Sequence, residues 1–301
     1  MARVAVAVVS WNTRDLLARC LESLHPEHDA AQADVWVVDN ASSDGSADLV
    51  RERFPWVRLV ASDENVGFGR AVNVLARQTD SEWIGVANAD IALRPGALER
   101  LLATGDEDAG AGAIAPRLVL PDGTTQHSVF AVPTIPFALL HATGAHRLIP
   151  GVADRRAIPG HWDTERARRV PWAIAAFLLL RRTAWDDTGG FDERQWMYAE
   201  DLDLGWRLRD AGWATRYEPR AVVDHESSAS THQQFGPDLT PVWQRATYAC
   251  IARRRGAVYA QAAAAINTFG ALARAGVTRG DDRRTYARWA RVHARALRPD
   301  D

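Results

Sequence analysis

Apolar and polar positions alternate in blocks along the first hundred residues. "VAVAVV" (Val4–Val9) is apolar throughout, the pattern of a strand buried on both faces. "TRDLLARCLESL" (Thr13–Leu24) follows with helical spacing behind a Thr in the cap position. The same order recurs: strands "VWVV" (Val35–Val38), "VRLV" (Val57–Val60) and "WIGVA" (Trp83–Ala87) alternate with helices at Ser46–Phe54, Gly69–Gln78 and Pro95–Ala103. Short loops between them predict a mostly parallel sheet covered on both sides. Ligands of such sheets bind beyond the carboxyl ends of the strands.

The pattern changes after Ala111. "AIAPRLVLPDGTTQHSV" predicts two strands joined at Asp122-Gly123. Residues 131–169 show no period and read as a long loop or lid. "WAIAAFLLLRR" (Trp172–Arg182) is a buried strand or short helix, and "ATRYEP" and "AVVDH" are two short strands. The last sixty residues read as helical. The boundaries expected are a catalytic domain over 1–240, divided into a nucleotide-binding half (1–110) and an acceptor half (111–240), and a helical extension over 241–301.

Charge adds one feature. The chain of 301 residues carries a net charge of -2, yet Val242 to Asp301 hold 12 Arg against 4 Asp. A basic tail on an acidic body suits an anionic surface. Arg284, Arg288, Arg291, Arg295 and Arg298 form one helical stripe, opposed by Tyr286, Trp289, His293 and Leu297. A helix over 282–298 with these two faces either lies on an anionic membrane or packs its aromatic side on the domain. Ala257–Ala275 is interrupted by Gln261, Asn267 and Arg274 and is not expected to span a membrane. Two cysteines, no cleavable leader pattern and an apolar N-terminal run too short to span fit a reducing cytosol.

The candidate chemistry lies after each predicted strand. "VVDNASSDGS" offers Asp39 to a base or ribose hydroxyl, although Asn, Ser, Asp and Gly also build plain turns. In "ENVGFGRAVN", Gly67 and Gly69 open a helix start to phosphate and Arg70 adds charge; a plain helix entry reads equally well. "ANADIAL" places Asn88 and Asp90 around Ala89, a pattern that holds Mg²⁺ with help from substrate phosphates. "MYAEDLDLGWRLRDAGW" crowds Glu200, Asp201 and Asp203 at a helix start, for dipole capping, an ion pair with Arg207, or proton transfer. Trp172 and Trp196 offer flat faces to a sugar ring or pack in the core. His225 ends "AVVDH"; imidazole suits Mn²⁺ better than Mg²⁺.

Taken in order, "VSWN", "VVDNASSDGS", "NVGFGRAVN", "NAD", "GGFDERQWMYAEDLDLGWRLRDAGW" and "VVDHESSAS" resemble the family 2 glycosyltransferases, most closely the rhamnosyltransferase-like branch. The resemblance implies an α/β GT-A fold, with a Rossmann-like mostly parallel central sheet, flanking helices and the helical C-terminal extension. It implies an inverting transfer from a dTDP- or UDP-linked sugar to a glycan, lipid-linked or small-molecule acceptor, and no nucleic-acid partner. On this likeness Ser10, Trp11, Asp39, Asn40, Asn65, Gly67, Arg70, Asn88, Ala89, Asp90, Trp172 and Trp196 meet the nucleotide sugar. Asp90, and in some members His225, bind Mg²⁺ or Mn²⁺, and Asp201 is the general base beside Glu200. Asn88 stands where many members have a further Asp. A nucleotidyltransferase is the alternative enzyme, but "SWNTRD" after the first strand lacks its Gly- and Arg-rich loop. A catalytically silent nucleotide-sugar or glycan-binding module is the non-enzymatic alternative. The location expected is cytoplasmic, peripheral at the inner face of the plasma membrane.

Overall fold

The computed structural model describes residues 2–227 and 238–297. They form two compact units. The first comprises residues 1–130 and 163–236, and the second residues 131–162 and 237–301.

The first unit is built on one mixed sheet. Strands β1 (Val4–Ser10), β2 (Ala33–Asp39), β3 (Arg58–Ala61) and β4 (Trp83–Asn88) are parallel, in spatial order β3-β2-β1-β4. β10 (Phe177–Arg181) runs antiparallel between β4 and β6 (Ala111–Val119). β11 (Ala214–His225) lies parallel to β6, with β5 (Ile91–Leu93) and β8 (Arg168–Val170) antiparallel on it. Val4, Val6 and Val8 share a buried cluster with Leu17, Leu21 and Leu24 of α1 (Arg14–Asp29) and with Leu98 and Leu101 of α4 (Ala97–Glu107). Helix α3 (Phe68–Ala76) packs on β1 and β2. Both faces of β1 are therefore covered, which is why it has no polar alternation.

Several expected elements differ. Thr13 does not cap α1; its hydroxyl meets that of Ser10 at 3.1 Å. Gly123 (φ +81°) makes the expected turn, but the return segment forms only a bridge, Val119 with Thr125. The strand beyond it, β7 (Val129–Phe130), pairs with β9 (Trp172–Ala173) instead. "ATRYEP" and "AVVDH" are one strand, β11, interrupted by a register shift between Glu218 and Val222. Pro219 lacks an N–H for the ladder and sits in that bulge.

The second unit is helical. Residues 131–162 are not a bare loop: they carry α5 (Ile135–Ala142), a 3₁₀ turn (Ala145–Leu148) and α6 (Pro150–Arg155). The Thr134 hydroxyl accepts the Phe137 N–H and starts α5, a cap hidden among prolines in the sequence. α5 packs on the C-terminal helices, where a Cβ at Gly270 would lie 2.6 Å from that of Ala142. Those helices are α9 (Thr240–Arg255), α10 (Ala257–Val277) and α11 (Gly280–Arg295). Among the described residues no helix is long and apolar enough to cross a membrane.

Candidate functional site

The parallel strands end together. Ser10 is in register with Asp39, and Val9 with Asn88. β1 is also where the strand order reverses, so its carboxyl end faces a topological switch crevice.

The loop after β2 separates turn chemistry from free chemistry. Asp44 accepts N–H groups of Arg14 and Ser46, Ser42 accepts the Asn12 N–H, and Asn12 in turn accepts the Ser43 N–H. These side chains are used up in joining two loops. Asp39 and Asn40 are different. Asp39 spends Oδ2 on the Ser42 N–H, and Asn40 spends Nδ2 on the Gly67 carbonyl. Their Oδ1 atoms are buried without a hydrogen-bond partner. Native proteins rarely leave such acceptors empty, so they call for a ligand. Ser10 is spent on Thr13, whereas Trp11 and Ala89 border the edge with their side chains part-buried and buried respectively.

The glycine loop serves packing first. Gly67 has φ +82°, and a Cβ there would lie 2.0 Å from the Trp196 carbonyl oxygen. A Cβ at Gly69 would lie 2.8 Å from that of Phe191. The glycines thus admit the 191–196 segment, with Asn65 closing the turn by accepting the Gly67 N–H. Arg70 is exposed. Gly67→Ala should cost about 2–4 kcal/mol by adding backbone strain to a clash. Chemical denaturation measures this, and an unshifted midpoint would refute it.

Trp196 keeps an open indole, 39% exposed, with its N–H on the Asn65 carbonyl. Trp172 does not present a sugar platform. It is buried, stacked on Phe130 at 5.0 Å and pressed on Gly205.

The three acids of α8 (Glu200–Asp210) divide by environment. Asp203 pairs with Arg207 at 2.8 Å, the i,i+4 pair expected from sequence. Asp201 accepts N–H groups from Leu202 (2.7 Å) and Ala175 (3.3 Å) and keeps some exposure. Glu200 is buried, and its Oε2 has no partner. Burial, then the charge of Asp201, push the Glu200 carboxyl well above the usual carboxylate range. Burial also raises Asp201, opposed by its two N–H donors. Asp201 is therefore the member of the pair that ionises more readily. The chain enters α8 through Tyr198 (φ +63°) and Ala199 (φ +61°), both left-handed without being glycine. Strain of this kind collects at functional sites.

Glu200→Gln should stabilise the protein by about 1–3 kcal/mol at pH 8. The native state holds a proton that the unfolded chain releases above the ordinary Glu range, so stability falls as pH rises from there through the raised native value. Melts of both proteins against pH check the sign: the gain should vanish at pH 3.

Asp90 and His225 meet across the sheet. Ile91 and His225 are in register, and the Glu226 N–H donates to the Asp90 carbonyl. Asp90 Oδ1 lies 3.2 Å from His225 Nε2, and among the described residues neither atom has a hydrogen-bond partner. On its other side, His225 Nδ1 lies 2.7 Å from Gln126 Oε1. An amide oxygen only accepts, so Nδ1 donates to it and Nε2 is the ring nitrogen that faces the carboxylate. A carboxylate facing Nε2 is satisfied by a proton on that nitrogen or, where the nitrogen is unprotonated, by a metal cation between the two. Adjacent ligands of an octahedral ion with bonds near 2.1 Å are about 3.0 Å apart. The pair fits a divalent cation, with Gln126 orienting the imidazole. Among the described residues no group of three or more His, Cys, Asp or Glu forms a metal cage. Remaining ligands would be substrate phosphate and water. Sequence reading missed Gln126, 99 positions from His225, and Asn73, whose amide grips the Phe191 backbone and Glu193. Only Asn73 left a trace, a polar residue on the apolar face of α3.

Comparison in three dimensions identifies the class. The mannosyltransferase PcManGT from Pyrobaculum calidifontis, solved with GDP-Man and Mn²⁺, superposes over 98% of this chain and 85% of its own, with TM-score 0.58 and 17% identity. The fold is thus GT-A-like: a mixed, mostly parallel sheet flanked by helices, with a C-terminal helical extension. Residues 2–236 match the family described as glycosyltransferase like family 2, and the chain belongs to that family. It is 33% identical over 264 residues to N-acetylglucosaminyl-diphospho-decaprenol L-rhamnosyltransferase of Mycobacterium tuberculosis, covering 83% of this chain and 84% of that one. It is 27% identical over 239 residues to the O-antigen biosynthesis protein RfbC of Myxococcus xanthus, covering 78% of this chain and 18% of that protein. The chain is a glycosyltransferase that moves a sugar from a nucleotide sugar to an acceptor.

Proposed function

We propose that the protein is an inverting rhamnosyltransferase that acts on a lipid-linked glycan at the inner face of the plasma membrane. The likeness to the mycobacterial rhamnosyltransferase, whose name specifies a lipid diphosphate acceptor, supports the donor sugar and the acceptor class. The observation that carries the chemistry is the Glu200–Asp201 pair: a buried carboxyl whose Oε2 has no partner among the described residues, beside a part-exposed one that accepts two N–H groups.

In this reading Asp39 and Asn40 use their unpartnered oxygens on the nucleoside. Trp196, 39% exposed, lends its indole to the donor. Asp90 and His225 hold a divalent cation, which when bound supplies positive charge beside the leaving diphosphate. Asn88 brings no charge of its own, so the cation is held with one carboxylate fewer. Asp201, ionised and partly open, takes the proton of the acceptor hydroxyl as that oxygen attacks the anomeric carbon. Glu200 stays protonated beside it, which spares the site a second buried charge.

Incubation with dTDP-rhamnose, UDP-sugars and a polyprenyl-diphosphate GlcNAc acceptor tests the proposal. Transfer of rhamnose with inverted anomeric configuration, read by NMR, is the expected result. Retention, or transfer of another sugar only, would overturn it.

A further inference from the structure

Helix α10 is apolar on its packed side, through Ala260, Ala263, Ala264 and Ala271, and again on an exposed strip. Val258, Ala262, Ala265, Phe269, Leu272 and Gly276 step by four, three, four, three and four, so they share under a third of its circumference. None is buried, and Val258 and Phe269 are 81% and 70% exposed. No polar residue interrupts this strip. The helix's polar side chains point instead at its neighbours. Asn267 donates to the Tyr248 hydroxyl, Arg274 to the His141 carbonyl, and the Tyr259 hydroxyl accepts the Ile135 N–H. A surface helix ordinarily turns its polar side chains outward. A contiguous apolar strip of this kind marks a contact surface.

The charges around the strip indicate its occupant. Leu239 to Leu297 contain eleven arginines against two acidic residues, Asp281 and Asp282. Arg253 and Arg255 are exposed just before α10, and Arg279 just after it. The strip thus has arginines at both ends of a helix about 30 Å long. A second copy docking here would bring two strongly basic surfaces together, with Asp281 and Asp282 as the carboxylates set against eleven arginines. A bilayer surface with anionic headgroups receives both features: acyl chains take the apolar strip, and arginines at its ends reach the phosphates.

On the aromatic face of α11, for which the sequence left membrane contact and packing on the domain open, His293 and Tyr286 are engaged while Trp289 and Leu297 stay exposed. His293 Nδ1 lies 2.9 Å from the Tyr248 hydroxyl, and Arg274 stacks on Tyr286. Arg298 lies outside the described residues.

We propose that α10 lies flat on an anionic lipid surface, with Phe269 and Leu272 inserted and Arg253 and Arg279 at the headgroups. The inference rests on the helical unit alone and not on the donor, the acceptor or the catalytic residues.

Co-sedimentation of the full chain with vesicles of phosphatidylglycerol and phosphatidylcholine tests it, with no sugar donor or acceptor present. The wild type should bind these vesicles, release as salt rises, and bind pure phosphatidylcholine at least tenfold less. Phe269→Asp with Leu272→Asp should weaken binding at least tenfold while circular dichroism stays unchanged. In Phe269→Trp, the emission of the new indole should shift to the blue on vesicle addition. Absence of wild-type binding to the anionic vesicles would overturn the proposal. So would an unshifted Phe269→Trp emission, or a lipid-free dimer that Phe269→Asp dissolves.

Discussion

Asp201→Asn is expected to lower kcat by about 10²–10⁴-fold, the range for loss of a positioned general base. Asn keeps an oxygen for the short Leu202 N–H bond to Oδ1 and gives up the longer Ala175 contact to Oδ2, so α8 should stay in place with one weak hydrogen bond lost. Nucleotide affinity should therefore change by no more than a few fold, and the loss should fall on kcat and not on KM. In the wild type, kcat/KM should rise with pH along an acid limb above the usual carboxylate range, because burial holds the Asp201 proton. The limb should disappear in the variant. Activity within threefold of wild type would assign proton removal elsewhere, with Glu200 the first candidate.

Asp90→Ala should have the next largest effect. It removes the carboxylate that faces His225 Nε2 and leaves the imidazole to hold the cation without that negative charge. Mn²⁺ affinity in the presence of nucleoside diphosphate should fall by about 10²-fold or more, since loss of an outer-shell partner alone costs about 10–100-fold. Gln126→Leu should fall at the lower end of that range, because it frees the tautomer without removing a ligand. Free Mn²⁺ counted by electron paramagnetic resonance reads both effects directly. Wild-type turnover undiminished by a chelator, together with full activity of Asp90→Ala, would remove the cation from the account.

The central strands were legible because both of their faces are buried. Val4–Val9, Trp83–Ala87 and the short helices between carry their own signals, and all lie within a few residues of the expected bounds. The difficulties came where distant residues decide. Pro219 reads as a strand break, yet β6 holds both parts of β11 in one ladder. The helices of 131–162 are short, and α5 gains its packing from α10, more than a hundred residues away. Trp172 is as aromatic as Trp196 in the sequence, but pairing of β7 with β9 buries it on Phe130. The site shows the same division. Asp39, Asp90, Asp201 and His225 stood out by their places after strands or at a helix start. Which oxygens remain free there depends on how the loops bond to each other: Ser42 and Asp44 are spent in turns, while Asp39 and Asn40 each keep one oxygen. The Gly67 loop looked like a phosphate cradle, and its first requirement is the Trp196 carbonyl.

The account turns on one diphosphate-bearing ligand gathered by residues from separate strands. Calorimetric titration of dTDP and UDP with Mn²⁺ into wild type, Asp39→Ala and Asp90→Ala measures that most directly. Each substitution alone should weaken nucleotide binding at least tenfold, Asp39 through the nucleoside and Asp90 through the cation. Unchanged binding in both variants would place the nucleotide elsewhere and contradict the account.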